Sequence, residues 1–127
     1  MSSGKQLIKN IPMLAAGVMT GTNVLTSNEI DVSGMEKAFI NLSWTGTPNG
    51  TFAIQVPASY SAANPAVVAS WATLPVLNTS GAALTAAGSA SNHQVDIQVV
   101  SFGRLRFIYT NSSSTGTLDA WITAKGV

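Results

Sequence analysis

Five stretches of this chain alternate apolar and polar side chains with a period of two, and no segment keeps a 3.6-residue period over three turns. In Phe39-Ile40-Asn41-Leu42-Ser43-Trp44 the apolar row is Ile40, Leu42 and Trp44, and in Thr51-Phe52-Ala53-Ile54-Gln55-Val56 it is Phe52, Ile54 and Val56. Three later stretches do the same, with rows Val95/Ile97/Val99, Leu105/Phe107/Tyr109 and Leu118/Ala120/Ile122. Successive side chains of a strand point to opposite faces, so each row lines a core and its complement faces outward. Weaker strands are expected near Gln6–Ile8, Asn23–Leu25, Glu29–Val32 and Ser70–Leu74. The expected fold class is all-β: a single antiparallel β-sandwich of jelly-roll type, with about eight short strands and an extended N-terminal arm. The corresponding division is 1–24 for the arm and first strand or strands, and 25–127 for the sandwich.

The connections carry turn chemistry. Thr47-Pro48-Asn49-Gly50, Ser101-Phe102-Gly103 and Ser112-Ser113-Ser114-Thr115-Gly116 separate the clear strands. Proline suits an early turn position and Asn-Gly tolerates positive φ. Their shortness predicts that the strands they join are antiparallel neighbours. Ala58–Pro65 and the Gly/Ala/Ser/Thr-rich stretch Asn78–Asn92 read as loops. The triplet Thr-Gly-Thr recurs at 20–22, 45–47 and 115–117 with no fixed period, which marks recurrent turn chemistry and not a domain repeat.

Charge narrows the function. Of 127 residues only six are Lys or Arg and five Asp or Glu, and none of these lies between Ala38 and Val95. A net charge of +1 supplies no field for nucleic acid or an anionic membrane surface. Without cysteine there is no disulfide scaffold, zinc-thiolate site, iron–sulfur cluster or thiol nucleophile. The apolar run Ile11–Met19 contains Pro12 and Gly17 and is too short to span a bilayer or to serve as a secretory signal after Lys5 and Lys9.

Little here suits catalysis. His93 is the only histidine, so a triad or histidine metal cluster would rest on one residue, and the plainer reading is a polar residue at a strand start. The five carboxylates are scattered, no phosphate-binding or calcium loop is present, and neither cofactor nor metal nor enzymatic activity is expected. Trp44 falls on an inward row. Trp121, on the face opposite Leu118 and Ile122, is a candidate exposed anchor, and Trp71 is a candidate for either role. Arg104 and Arg106 share an outer face, where they read either as a solvated face or as an interface with planar donors. The Asn-x-Ser/Thr sequences at Asn41, Asn49, Asn78 and Asn111 reflect composition.

The segment Ala38-Phe39-Ile40-Asn41-Leu42-Ser43-Trp44-Thr45-Gly46-Thr47-Pro48-Asn49-Gly50-Thr51-Phe52 resembles small virion proteins of tailed bacteriophages. The rest of the chain continues the likeness with a Trp strand, Ala69-Ser70-Trp71-Ala72, then an Arg strand, Arg104-Leu105-Arg106-Phe107-Ile108-Tyr109-Thr110, then the ending Gly116-Thr117-Leu118-Asp119-Ala120-Trp121. The order is also similar to the galactose-binding-like sandwich of discoidin-type domains, without their disulfide or an obvious sugar pocket. Over about residues 30–125 the resemblance implies a capsid decoration (cement) protein: a homo-oligomer, a trimer by preference, on the outer surface of the virion, binding the major capsid protein. On this reading the contacts fall to Leu7, Ile8, Ile11 and Met13 of the arm and to Trp71, Arg104, Arg106 and Trp121, and the charge-free stretch marks the half covered by other subunits. The alternative is a carbohydrate-binding or host-attachment module of a tail, fibre or baseplate on the same fold.

Overall fold

A computed structural model of the chain describes residues 8–32, 35–77, 80–98 and 103–126. They form ten strands: β1 (Ile8–Met19), β2 (Val24–Thr26), β3 (Ile30–Asp31), β4 (Met35–Gly46), β5 (Asn49–Tyr60), β6 (Val68–Pro75), β7 (Thr85–Ala87), β8 (Ser91–Gln98), β9 (Arg104–Ser113) and β10 (Gly116–Gly126). Every pairing is antiparallel. The first sheet runs β1-β10-β4-β8 and the second β2-β9-β5-β6, with β3 also on β9 and β7 also on β5. Because β2 and β3 share one edge of β9, and β6 and β7 one edge of β5, the ten strands occupy eight positions, four in each sheet. This is the all-β jelly-roll sandwich that the alternation predicts.

The inward rows meet as expected. Ile40, Leu42 and Trp44 of the first sheet pack against Phe52, Ile54, Phe107 and Tyr109 of the second, and all are buried. Phe52 lies at the centre, its ring 5.0 Å from Trp44, 5.8 Å from Phe107 and 4.8 Å from Tyr109. Tilted ring pairs at such distances add to the stabilisation from area burial.

The connections differ from expectation. The three short links do not join neighbours in one sheet: β4 and β5, β8 and β9, and β9 and β10 lie in opposite sheets. Thr47 and Pro48 carry the chain across after Gly46, at φ 84°, and Ser114, at φ 63°, and Thr115 do so between β9 and β10. Turn residues specify that the chain reverses, not whether it reverses within a sheet or between two. A strand with one apolar face fits either side of a core, so hairpin and crossing leave the same local pattern. An in-plane reversal lies between β5 and β6, whose strands extend past the expected loop: Ala58–Tyr60 belong to β5, and Ser59 pairs with Ser70. The expected loop Asn78–Asn92 likewise holds β7 and the start of β8.

β1 is longer than the strand expected at Gln6–Ile8. It pairs with β10 from Ile8 to Met19 and breaks register between Pro12 and Leu14 and again between Leu14 and Gly17. Those irregularities erase the period of two and leave an apolar run with no strand signature. Met13 and Met19 of this segment lie in the core.

Candidate interaction site

Three places on the sandwich concentrate side-chain chemistry. The first is the end where β1 passes to β2, β4 to β5 and β9 to β10. Each of these crossings contains one of the Thr-Gly-Thr triplets. Buried Asn111 ties two of them: its Nδ2 donates to the Gly21 carbonyl (2.9 Å) and to the Ser114 carbonyl (3.0 Å), and its Oδ1 accepts from the Tyr109 hydroxyl (2.7 Å). The Thr47 N–H donates to the Thr115 carbonyl and links the third. Gly116 has no room for a Cβ, which would meet the Thr45 carbonyl oxygen and Pro48. Burial pushes the Tyr109 phenol above its ordinary pKa of 10.0. A fully satisfied polar set of this kind rigidifies the end of a fold.

The second place is the outer face of the second sheet. Arg106 of β9, Gln55 of β5 and Thr73 of β6 stand in one register row. The Arg106 Nε–H donates to Gln55 Oε1 (2.7 Å), and Gln55 Nε2 donates to Thr73 Oγ1 (3.1 Å). The Arg106 guanidinium carbon lies 4.2 Å above the Trp71 ring centre, a cation–π contact. Arg104, two residues earlier, pairs with Glu29 at 3.6 Å.

The third place is the lateral side formed by β6 and β8. Leu74 faces inward with its partner Ile54, yet is 39% exposed. Ala72 and Val95 are only partly buried against the core. Tyr60, Val67 and Leu77, on the same side of the second sheet, are exposed.

The sequence-predicted contact residues therefore do not form one patch. Trp71 and Arg106 touch each other, and Arg104 is engaged with Glu29. Trp121, 47% exposed, lies on the outer face of the first sheet beside Pro12 and Asn41. Ile11 packs partly against the core, and Met13, at 1% exposure, gives its side chain to the protein's own interior. Ile8 pairs through its backbone with Lys125, and Leu7 lies outside the described residues. Trp44 is buried as expected, its indole N–H donating to the Ser89 carbonyl at 2.9 Å. His93 is half-buried on β8 opposite Leu42. The sequence alone does not single out Gln55 and Thr73. Their outward positions in alternating strands are visible, but which strand lies beside Arg106 is not. Asn111 stands out in the sequence only as part of a sequon.

No family model matches this chain, and no curated protein matches it. Solved structures do, at the level of fold. The SPBc2 prophage-derived protein YomS superposes with a TM-score of 0.57 at 10% identity, over 99% of both chains. A chain of infectious bursal disease virus, Gx strain, gives 0.60 at 9% identity, with 98% of this chain covering 33% of that one. A chain of the cyanophage Pam1 capsid asymmetric unit gives 0.51 at 14% identity, over 100% of this chain and 90% of that one. The jelly-roll sandwich is thus shared with proteins of viral and phage origin.

Proposed function

We propose that this chain is a non-enzymatic structural protein of a phage virion, a capsid decoration (cement) protein on the outer shell surface that binds the major capsid protein and associates with copies of itself, as a trimer by preference. The observation that carries the reading is the lateral side at β6 and β8. Its strands come from the stretch without charge up to Val95, and its inward-facing Leu74 is left 39% exposed. A margin with Asp96 as its one charge, and with inward-row Leu74, Ala72 and Val95 left incompletely covered, is suited to cover by another protein. The fold shared with a chain of the cyanophage Pam1 capsid asymmetric unit, of nearly the same length, supports it, as does the sequence resemblance to small tailed-phage virion proteins. Leu7, Ile8 and Ile11 of the N-terminal segment, with Trp71, Arg106 and Trp121, are the further contacts we assign to neighbours.

The test is reconstitution. Shells of the source phage made without this chain are mixed with the purified protein. Saturable co-sedimentation and a higher temperature of shell disruption are expected, with Leu74→Asp abolishing both. Shells that neither bind the protein nor gain stability would overturn the reading. A second reading, a carbohydrate-binding attachment module, is favoured by Trp121, an exposed indole beside Asn41 and Pro12. Glycan-array binding that disappears in Trp121→Ala would establish it in place of the first.

A further inference from the structure

We propose that Arg106 is a carboxylate-binding anchor: an acidic side chain of the partner protein docks on its guanidinium, on the outer face of the second sheet. The inference deepens the decoration reading, on which it rests only for the partner's identity.

Two arginines share one strand and one face. Arg104 has its counter-ion within the chain, Glu29 at 3.6 Å, and stands in register with Asp31. Arg106 has no carboxylate partner among the described residues. It is instead held by neutral groups, with the Trp71 ring beneath it and Gln55 on its Nε–H. Gln55 is in turn fixed by Thr73. The strands it lies across, β5 and β6, belong to the stretch without any Asp, Glu, Lys or Arg, so nothing on them neutralises the guanidinium.

The geometry leaves a specific part of the group free. A guanidinium presents five N–H donors in a planar fork. The contact with Gln55 uses the Nε–H and sets the rotation of the plane, while the indole covers one of its faces. The end bearing Nη1 and Nη2 remains, and its two parallel N–H bonds match the two oxygens of a carboxylate. Because the side chain is already ordered, little rotamer entropy is lost when a carboxylate arrives. Arg106 and Trp71 are half-buried, which strengthens a charge-assisted bond relative to one in open water. A partner protein fits better than a free anion, because exposed Tyr60 and Val67 lie on the adjoining hairpin and would receive apolar neighbours of the acid.

The test has two arms. In the first, the full chain is labelled with nitrogen-15 and titrated with glutarate, with glutaramide as the neutral control and inorganic phosphate as the competing anion. Glutarate should shift the Arg106 Nε and Trp71 indole resonances saturably, with smaller effects at Arg104 and none from glutaramide. Arg106→Lys, which keeps the charge and loses the fork, should weaken the response by about tenfold with the backbone spectrum otherwise unchanged. Equal binding by the lysine variant, equal shifts at Arg104, or a response to phosphate alone overturns the inference. In the second arm, Arg106→Lys should lower affinity for shells by about tenfold and Arg104→Lys should not. Shells that bind wild type and Arg106→Lys equally remove the anchor and leave the decoration reading standing. Shells that bind neither remove the decoration reading, and the titration then decides the anchor alone.

Discussion

The sandwich has two lateral sides, made from the same kind of strand and finished differently. On one, β1 lies over β2 and β3, and the sheets are joined through the backbone: the Asn28 N–H donates to the Met13 carbonyl at 3.1 Å. Side chains meet closely at Gly17, where a Cβ would lie 2.8 Å from Leu14 and 3.1 Å from Leu25, and beside them a cleft of about 220 Å³ opens between Pro12–Ala15 and Thr26 and Asn28. The free edge of β1 is blunted by Pro12, by two breaks in register, and by Ala16 at φ 50°, whose N–H donates to the Asp119 carboxylate at 2.8 Å. Bulges, proline and nearby charge are the usual means of stopping an edge from recruiting another strand. On the other side, β8 runs in unbroken register along β4, with Asp96 as its one charged residue; β6 carries no charge, and its own devices are two register breaks beside Ser59 and a terminal Pro75. The two sides thus differ in how the sheets are joined: a backbone hydrogen bond spans the gap at β1, and among the described residues none is seen between β6 and β8.

The first way to break this comparison is to cut one apolar side chain on each side. Met13→Ala should cost about 2–5 kcal/mol, as for deletion of any fully buried large side chain, whereas Leu74→Ala should cost less than about 1 kcal/mol. Urea unfolding of the isolated protein measures both. Comparable losses would mean that the open side is as well packed as the closed one.

Next in size is the crossing end, which ties the two sheets whichever lateral side is considered. Asn111→Ala leaves the Tyr109 hydroxyl and the Gly21 and Ser114 carbonyls without their partner, and should cost about 1–3 kcal/mol. Amide exchange would show the loss as faster opening at Gly21–Asn23 and Thr115–Gly116, with β6 and β8 unaffected if the comparison holds. Tyr109 adds a dependence on pH. Its folded pKa lies above the unfolded value near 10, so the unfolded chain releases the proton first. The stability it contributes is complete below pH 10 and declines as pH rises through the folded value. Denaturant midpoints measured from pH 8 upward should fall on the alkaline side, and Tyr109→Phe should flatten that fall.

How much the sequence disclosed depends on the range of each interaction. The inward rows of β4, β5, β9 and β10 were legible because burial on one face writes itself into every second residue. The sheet to which each strand belongs was not: Ile54 pairs with Phe107 on one side and Leu74 on the other, and nothing local distinguishes those partners from Leu42 across the core. β1 was hidden for a different reason. Its breaks in register after Pro12 and Leu14, which protect its edge, also scramble the alternation that would have revealed it. For the candidate site, Trp71 and Arg106 were each visible as outward residues, but their contact depends on β6 and β9 flanking β5, a fact of topology.

The smallest change in stability accompanies the sharpest contrast between the sides. Leu74→Lys on the open side and Val18→Lys on the closed side both replace an exposed apolar residue, 39% and 60% accessible, and each should alter stability by no more than about 0.5 kcal/mol. Their effects on association should diverge. A charge at Leu74 would have to be desolvated by any subunit covering β6 and β8, and lysine on an edge strand is a direct obstacle to pairing. Val18 is more exposed, but it lies on β1, whose edge is already blunted and whose neighbours already carry charge, so a lysine there adds little. Sedimentation velocity across a concentration series should therefore show the oligomer for wild type and Val18→Lys, and the monomer for Leu74→Lys. Dissociation by Val18→Lys with Leu74→Lys unchanged would place the self-contact on the closed side and reverse the assignment.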